Sequence, residues 1–243
     1  IEGIVIMLAI DVSTSILAED LKPNRLEAAK DVAAEFINGR PNDNIGITLF
    51  AGETFTQCPL TVDHAVLLDM IHNIKCGLIT DGTAVGMGIA NAVTRLKDSK
   101  AKSKVIILLT DGTNNKGDIS PMTAAEIAKS FGIRVYTIGV GTNGMAPYPY
   151  PVGNTVQYVS MPVEIDEKTL TEIAGTTDGN YFRATSNSKL KEVYEEIDKL
   201  EKTKLNVKEY SKRDEEYHWF ALAAFLCVLL EVLLRNSVLK KIP

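Results

Sequence analysis

Asp11-Val12-Ser13-Thr14-Ser15 follows directly on the apolar run Ile4–Ile10, and this junction decides the fold. The uninterrupted apolar run is typical of a strand that is covered on both faces, as in a parallel sheet. A carboxylate and two hydroxyls then come at alternate positions, at the carboxyl end of that strand. Ligands of open α/β sheets bind at this end. Hard oxygen donors there indicate a site for a hard cation such as Mg2+.

Strand-like and helix-like segments alternate along the rest of the chain. This alternation predicts an α/β fold with a Rossmann-like, doubly wound, mainly parallel sheet and helices on both faces. The predicted strands are Ile4–Ile10, Ile45–Phe50, Glu53–Gln57, Val105–Leu109, Ile133–Val140 and Tyr181–Arg183. The predicted helices are Arg25–Ile37, Asp63–Ile74, Thr83–Leu96, Thr123–Phe131, Ile165–Ala174 and Ser186–Thr203.

The segment Thr142–Pro162 is rich in Gly, Pro, Tyr and Asn and is predicted to be a long loop or a small hairpin. It follows the carboxyl end of a predicted strand. A rigid ordered loop is one interpretation of it. We favour a second, a rim that binds a partner near the cation site, because functional residues concentrate on loops held by a rigid scaffold.

Two further polar stretches are expected at the same edge of the sheet as Asp11. Asp111 follows the strand Val105–Leu109, so the two carboxylates point into one crevice if their strands are neighbours. Thr83 precedes a helix and can offer its hydroxyl at the helix amino end, whereas Asp81 is expected to shape its loop. The predicted metal-site residues are Asp11, Ser13, Ser15, Thr83 and Asp111. The hydroxyls are expected to bind the ion directly, and the carboxylates directly or through water.

An ion held mainly by neutral hydroxyls keeps most of its positive charge and accepts a carboxylate from a partner. This favours docking over catalysis, and the sequence has no nucleophile elbow or P-loop. One alternative is a Mg2+-dependent phosphohydrolase with Asp11 as nucleophile, which Ser13 counts against because that chemistry needs a second carboxylate nearby. A structural scaffold with a vestigial ion site is the other. Taken alone, Asp11 has an ordinary explanation as a helix cap.

The composition and net charge of the chain exclude some classes of function. The 243 residues carry a net charge of -5, which is not the electrostatic footprint of a nucleic-acid binder. Cys58 and Cys76 are interpreted as idle thiols rather than a disulfide, and Cys227 as a small apolar filler.

The carboxyl-terminal part changes character. Residues 1–203 are predicted to form the metal-binding domain, and 204–216 a linker or helical extension. The apolar segment 217–234 would reach about 27 Å as a helix and is predicted to cross a membrane. The aromatic residues at its start resemble an interfacial belt, and the basic tail 235–243 favours a cytoplasmic carboxyl end. The metal-binding domain is then expected on the other side of the membrane, which in a bacterium is the periplasmic side of the inner membrane. A buried core helix, or one that packs on a partner, is the alternative.

The three polar stretches resemble the metal-ion-dependent adhesion site of von Willebrand factor A domains. The matching residues are Asp11-Val12-Ser13-Thr14-Ser15, Thr83 and Thr110-Asp111-Gly112, in a similarity that runs from about Ile4 to Thr203. The resemblance implies a Rossmann-like domain with Mg2+, Mn2+ or Ca2+ at the top of the sheet. It also implies recognition of an Asp or Glu of a protein partner.

Other runs resemble bacterial aerotolerance membrane proteins of the BatA type. They are Gln57–Thr61, Asp81–Ala84, Thr110–Asn115, Gly179–Arg183 and the ending from Glu231 to Pro243. This resemblance implies membrane helices ahead of the domain and a role in assembling or maintaining envelope complexes linked to aerotolerance. It also implies other Bat-type proteins and a MoxR-type AAA+ ATPase as partners. The chain departs from the pattern at Thr14-Ser15-Ile16, where relatives often have Gly-Ser-Met; Thr14 is expected to point away from the ion.

Overall fold

The computed structural model describes residues 4–153, 155–211, 221–222, 224–226, 228 and 231–232. The chain divides into two compact units, residues 1–201 and 202–243. The strands are β1 (Val5–Asp11), β2 (Asn44–Phe50), β3 (Thr54–Thr61), β4 (Lys104–Thr110), β5 (Ile133–Val140), β6 (Met145–Val152), β7 (Thr155–Pro162) and β8 (Tyr181–Ala184). The helices are α1 (Arg25–Asn38), α2 (His64–His72), α3 (Val85–Leu96), α4 (Pro121–Ser130), α5 (Glu167–Thr176) and α6 (Asn187–Ser211).

Six strands form one sheet in the order β3-β2-β1-β4-β5-β8. All neighbouring pairs are parallel except β2 and β3, which are joined by a tight turn and run antiparallel. The predicted α/β fold with a mainly parallel sheet and helices on both faces is therefore confirmed.

The strand order reverses between β1 and β4. The chain moves from β1 to β2 and β3 on one side, and then returns to β4 and continues to β5 and β8 on the other. Ile10 of β1 lies beside Leu109 of β4 in the parallel register. The residues that follow these two strands therefore emerge side by side, at the switch point where open α/β sheets bind ligands.

The core lies on both faces of the central strand. Val5, Met7 and Ala9 of β1 pack in the cluster formed with helices α3, α4 and α5. The alternate residues of β1 point to the opposite face and are equally buried. On that face, α1 contacts α6 through the Phe36 and Tyr194 rings, whose centroids are 5.0 Å apart. A strand buried on both sides explains why the run after Ile4 carries no polar residue before Asp11.

Several element boundaries differ from those predicted. Helix α4 starts at Pro121 instead of Thr123, because the Ser120 hydroxyl accepts the Thr123 N–H and proline suits the first helical position. Helix α6 continues past Thr203 to Ser211. A 3₁₀ helix over Thr14–Leu17 was not expected from the sequence.

The segment 142–162 contains the antiparallel hairpin of β6 and β7, one of the two forms considered for it. Pro147, Pro149 and Pro151 recur at every second position of β6. Proline has no N–H, so these residues occupy positions that do not donate to β7. The Pro147 carbonyl points outward and accepts the Glu19 N–H at 2.8 Å. The prolines thus leave the outer edge of β6 with few donors.

Two expectations concern the cysteines and the carboxyl-terminal segment. Cys58 and Cys76 are free thiols, Cys58 buried and Cys76 partly exposed, in agreement with the idle-thiol interpretation. Within the described residues, no helix combines the length and the apolar character that crossing a bilayer requires. Most of the predicted span 217–234, Cys227, and all of the predicted tail 235–243 lie outside the described residues.

A buried carboxylate joins α6 to the sheet. Glu201 is 1% exposed and accepts hydrogen bonds from the Ser103 hydroxyl at 2.7 Å and the Tyr136 hydroxyl at 2.6 Å. It also forms an ion pair with Arg134. Burial alone would raise the pKa of Glu201, but these donors outweigh it and hold the pKa below its ordinary value. Glu201 therefore stabilises the folded domain in its charged form.

Replacing Glu201 by Ala is expected to lower the free energy of unfolding by about 3 kcal/mol at pH 7, because two buried hydroxyls and the partly buried Arg134 lose a charged acceptor. Urea unfolding measures the change, and Glu196→Ala at an exposed position of the same helix is the matched control. Since the folded pKa lies below the unfolded one, the stabilisation is present above the unfolded pKa and is lost as the pH falls through the folded pKa. Equal stability of the two variants would contradict this role.

Candidate functional site

Asp11 is the last residue of β1 and is fully buried. Its Oδ1 accepts the Ser13 N–H at 2.9 Å, which turns the chain immediately after the strand in the manner of an Asx turn. Its Oδ2 accepts the Thr110 hydroxyl at 2.6 Å, from the end of the neighbouring strand β4. The carboxylate is thus fixed at the switch point by groups from both strands.

Hydrogen bonds of Ser13 and Ser15 connect the chain after β1 to Asp111, the residue after β4. The Ser15 hydroxyl donates to Asp111 Oδ1 at 2.7 Å, and the Ser13 and Ser15 hydroxyl oxygens are 3.0 Å apart. A hydroxyl has a single proton, so Ser13 donates to Ser15 while Ser15 donates to Asp111. The predicted crevice is present: Asp11, Ser13, Ser15 and Asp111 come together at one edge of the sheet.

Thr83 lies in the loop before α3, and its side chain is at the same edge of the sheet as Asp111 and Gly112. A Cβ atom built on Gly112 would lie 3.4 Å from Thr83 Oγ1, so this hydroxyl lies against the residue that follows Asp111. The Thr83 N–H donates to Asn115 Oδ1 at 2.9 Å, and the Thr83 carbonyl accepts the Asn115 N–H at 3.0 Å. Asn115 therefore fixes the loop, a role that the sequence analysis did not assign to it.

Asp81 connects the loop before α3 to the segment after β1 through two hydrogen bonds. It accepts the Thr14 N–H at 3.0 Å and the Thr14 hydroxyl at 2.9 Å. These hydrogen bonds hold the pKa of Asp81 below its ordinary value. The contact agrees with the expectation that Asp81 shapes its loop, and it turns the Thr14 side chain toward Asp81.

Arg25 was missed as a site residue. It is the first residue of α1, is 3% exposed, and donates from Nη1 to Asp111 Oδ2 at 2.7 Å. Its Nε and Nη2 donate to the two oxygens of Asp20, each at 2.7 Å. One signal was present in the sequence: a cation at the start of a helix opposes the helix dipole and requires a carboxylate nearby.

The charges of the site do not cancel within the protein. Arg25 pairs with Asp111 and Asp20, whereas Asp11 is held by Ser13 and Thr110. When all three carboxylates are ionised, they exceed the one guanidinium by two negative charges. Burial, together with the adjacent Asp111, raises the pKa of Asp11 to about 7. Burial also raises the pKa of Asp111, despite the opposing effect of Arg25. A divalent cation would supply the missing positive charge.

The donor set fits a hard cation. The three hydroxyls and two carboxylates offer only oxygen, which suits Mg2+, Mn2+ or Ca2+. Across the part of the chain that the structure describes, no group of three or more His, Cys, Asp or Glu side chains is arranged to hold an ion. A cation here would accordingly depend on the hydroxyls of Ser13, Ser15 and Thr83.

The β6–β7 hairpin flanks this site. The Tyr158 hydroxyl donates to Glu19 at 3.0 Å, just after the 3₁₀ helix that carries Ser15. Burial raises the pKa of Tyr148, while a hydrogen bond with the Thr14 side chain opposes the rise. Tyr148 therefore reaches the same loop, and the hairpin lies beside the crevice as the partner-rim interpretation requires.

Comparison with known proteins identifies relatives along the whole domain. The model of the von Willebrand factor type A domain matches residues 6–196. An uncharacterised protein of Borreliella burgdorferi is 27% identical over 242 residues, 99% of this chain and 71% of that protein. A UPF0353 protein of Mycolicibacterium paratuberculosis is 33% identical over 206 residues, and the chain spans only 58% of its length.

Solved structures agree with the fold and the narrower resemblance. BatB from Bacteroides thetaiotaomicron is 34% identical with a TM-score of 0.72, over 82% of this chain and 100% of that one. An aerotolerance-related membrane protein from Bacteroides fragilis is 34% identical with a TM-score of 0.70, over 81% of this chain and 100% of that one. Proximal thread matrix protein 1 of the mussel byssus, with zinc in its MIDAS motif, is 25% identical with a TM-score of 0.64, over 82% of this chain and 46% of that one.

The match to the family model covers most of the chain and includes all five predicted site residues. Asp11, Ser13, Ser15 and Asp111 lie at the carboxyl ends of strands, and Thr83 lies before α3. The chain belongs to the von Willebrand factor type A domain family.

Proposed function

We propose that this chain is a non-enzymatic protein-binding module that depends on a divalent cation and is anchored in a membrane. An Asp or Glu of the partner would complete the coordination of the ion. The observation that carries the proposal is the meeting of the buried carboxylates of Asp11 and Asp111 at a sheet edge lined by three hydroxyls, where Arg25 is the cation that pairs with Asp111 and is itself bound by Asp20. The proposed ligands of Mg2+, Mn2+ or Ca2+ are Asp11, Ser13, Ser15, Thr83 and Asp111.

The contacts of the two carboxylates support docking. Von Willebrand factor A domains are a family of metal-dependent protein-interaction modules. Here both oxygens of Asp11 and both of Asp111 already accept hydrogen bonds from the protein. Hydroxyl donors leave a bound cation electrophilic, and such a cation would supply the attraction for an outside carboxylate.

The phosphohydrolase alternative has less support. A nucleophilic carboxylate needs an oxygen free to attack and a second acid or base close by. Asp11 is held by Ser13 and Thr110, and the nearby Asp111 is held by Ser15 and Arg25. A scaffold with a vestigial ion site is the other alternative, and its partner binding would persist in chelator.

The cellular setting is part of the proposal and is supported by resemblance. The likeness to BatB and to an aerotolerance-related membrane protein supports an envelope complex. In it, segment 217–234 would anchor the chain in the inner membrane of a bacterium, with the domain in the periplasm. Other Bat-type proteins and a MoxR-type AAA+ ATPase would work with it.

The hairpin is proposed as the second part of the partner surface. Large apolar side chains on it are about half exposed, although a solvated ribbon would normally carry polar residues. Those side chains are Met145, Tyr150, Val152, Val156, Tyr158, Val159 and Met161. All eight residues of β7 are exposed. A partner that binds the ion would cover this ribbon as well.

Titration of Mn2+ into the domain is expected to show one site that Asp11→Ala and Asp111→Ala weaken by about 10- to 100-fold. Calorimetry measures the affinity, and Asp31→Ala at an exposed position of α1 is the matched control. Capture of partners from the native membrane with Mg2+, and their loss in EDTA, would distinguish docking from a vestigial site. Metal-dependent hydrolysis of phosphate esters that Asp11→Asn abolishes would favour the phosphohydrolase instead.

Metal binding is expected to release a proton, because the cation must displace the proton that Asp11 holds below its pKa of about 7. More proton is therefore released at pH 6 than at pH 8, and the affinity for Mg2+ rises with pH across this range. Calorimetry in two buffers of different ionisation enthalpy counts the protons. Release that is absent at pH 6 would argue against a protonated Asp11.

The double substitution Tyr150→Ser and Val156→Ser is expected to leave the melting temperature and the Mn2+ affinity unchanged, because both side chains are more than half exposed. It should reduce Mg2+-dependent partner capture by about tenfold, since apolar anchors contribute most to such interfaces. Val62→Ser, at a 67% exposed position away from the hairpin, is the control. Undiminished capture would remove the hairpin from the proposed surface.

A further inference from the structure

Arg25 lies between the proposed metal site and the base of the hairpin. Its guanidinium contacts Asp111 on one side and Asp20 on the other, and Asp20 also accepts the Thr142 N–H at 2.8 Å. We infer that Arg25 is a positioning residue that keeps Asp111 from neutralising the bound ion, so that the ion retains its affinity for a partner's carboxylate. This inference rests on the proposed function.

Asp111 is bound by the protein through both of its carboxylate oxygens. Its Oδ2 accepts a charge-assisted hydrogen bond from Arg25 at 2.7 Å, and its Oδ1 accepts the Ser15 hydroxyl at 2.7 Å. A hydrogen bond between ionised groups is roughly twice as strong as one between neutral groups. The negative charge of Asp111 is therefore already shared with a fixed cation of the protein before any metal binds.

The guanidinium of Arg25 is held in a defined position by its surroundings. Asp20 binds it through two parallel hydrogen bonds, in the bidentate geometry that fixes orientation as well as distance. Gly141 lies against it with φ of +144°, and a Cβ atom there would come within 2.8 Å of Nη2. Arg25 is 3% exposed. The burial, the two hydrogen bonds to Asp20 and the close approach of Gly141 together hold the guanidinium against Asp111.

Loss of the contact between Arg25 and Asp111 would change how strongly Asp111 acts on a bound ion. Without Arg25, Asp111 would present its full charge to the ion, which would then be held more tightly but would attract an outside carboxylate less. A residue that only maintained the fold would act differently, because its loss would weaken the binding of both ion and carboxylate. The two affinities should therefore change in opposite directions.

The test compares the wild-type chain with the double variant Arg25→Met and Asp20→Asn. One positive and one negative charge are removed together, so the net charge stays at -5. Electron paramagnetic resonance measures Mn2+ affinity. Water-proton relaxation of the Mn2+-loaded protein, titrated with acetate at constant ionic strength, measures carboxylate binding. The double variant should bind Mn2+ about fivefold more tightly and acetate about fivefold more weakly, as expected for the loss of one opposed charge pair.

Each result of this experiment either supports or overturns the proposed role of Arg25. Parallel loss of both affinities would assign Arg25 to the fold alone, and unchanged affinities would remove it from the site; either result overturns the inference while leaving the metal site in place. Absence of Mn2+ binding by the wild-type domain would instead overturn the proposed function. If circular dichroism shows that the double variant does not fold, Arg25→Lys decides. It keeps the charge without the fork, and the same opposite changes, smaller in size, are expected.

Discussion

The structure depends on one constraint, the parallel pairing of β1 with β4 at the point where the strand order reverses. Because both strands end at the same edge, the residues after them are brought together although they lie about 100 positions apart. Asp11 and Asp111 are buried beside each other at this edge. Because their charges repel, the free energy needed to bury both carboxylates in ionised form is higher than for either alone. The surrounding hydroxyls, Arg25 and the loop before α3 all compensate for that arrangement.

The compensation is partial, and this is what gives the site its chemistry. Arg25 offsets one carboxylate and is itself bound by Asp20, so the protein retains an excess of negative charge in a place sheltered from water. Hydroxyls from two separate loops line the same crevice. A site that is anionic but poor in charged ligands favours a cation that keeps part of its charge for a partner. The adjacent hairpin offers apolar surface to the same partner.

The fold and the meeting of Asp11, Ser13, Ser15 and Asp111 at one sheet edge were predictable because their signals are local, whereas metal binding by these residues stays a prediction. An unbroken apolar run predicts a buried parallel strand, and polar residues directly after two such runs predict a shared edge. The part played by Arg25 was not predictable in this way, since its partner Asp111 is 86 residues distant and its position alone indicated only a helix start. The hairpin form of 142–162 stayed open for a similar reason: Pro-rich strands lack the usual strand pattern, and their pairing depends on which edge carries the prolines.

The boundaries of helices were less predictable than their existence. Helix α4 begins where Ser120 can cap it, a choice that competes with Thr123 in the sequence. Helix α6 runs on to Ser211 through charged and polar residues whose composition also suits a linker. The 3₁₀ helix at Thr14–Leu17 follows from the turn that Asp11 and Ser13 form, and its hydrogen bonds are tertiary as much as local.

The convergence of oxygen donors on one cation is the central claim, and anomalous diffraction from a crystal of the Mn2+-loaded domain tests it most directly. We expect a single manganese peak at the switch point, within bonding distance of the hydroxyl oxygens of Ser13, Ser15 and Thr83. A peak that lies elsewhere, or no peak at a saturating concentration of Mn2+, would contradict the claim.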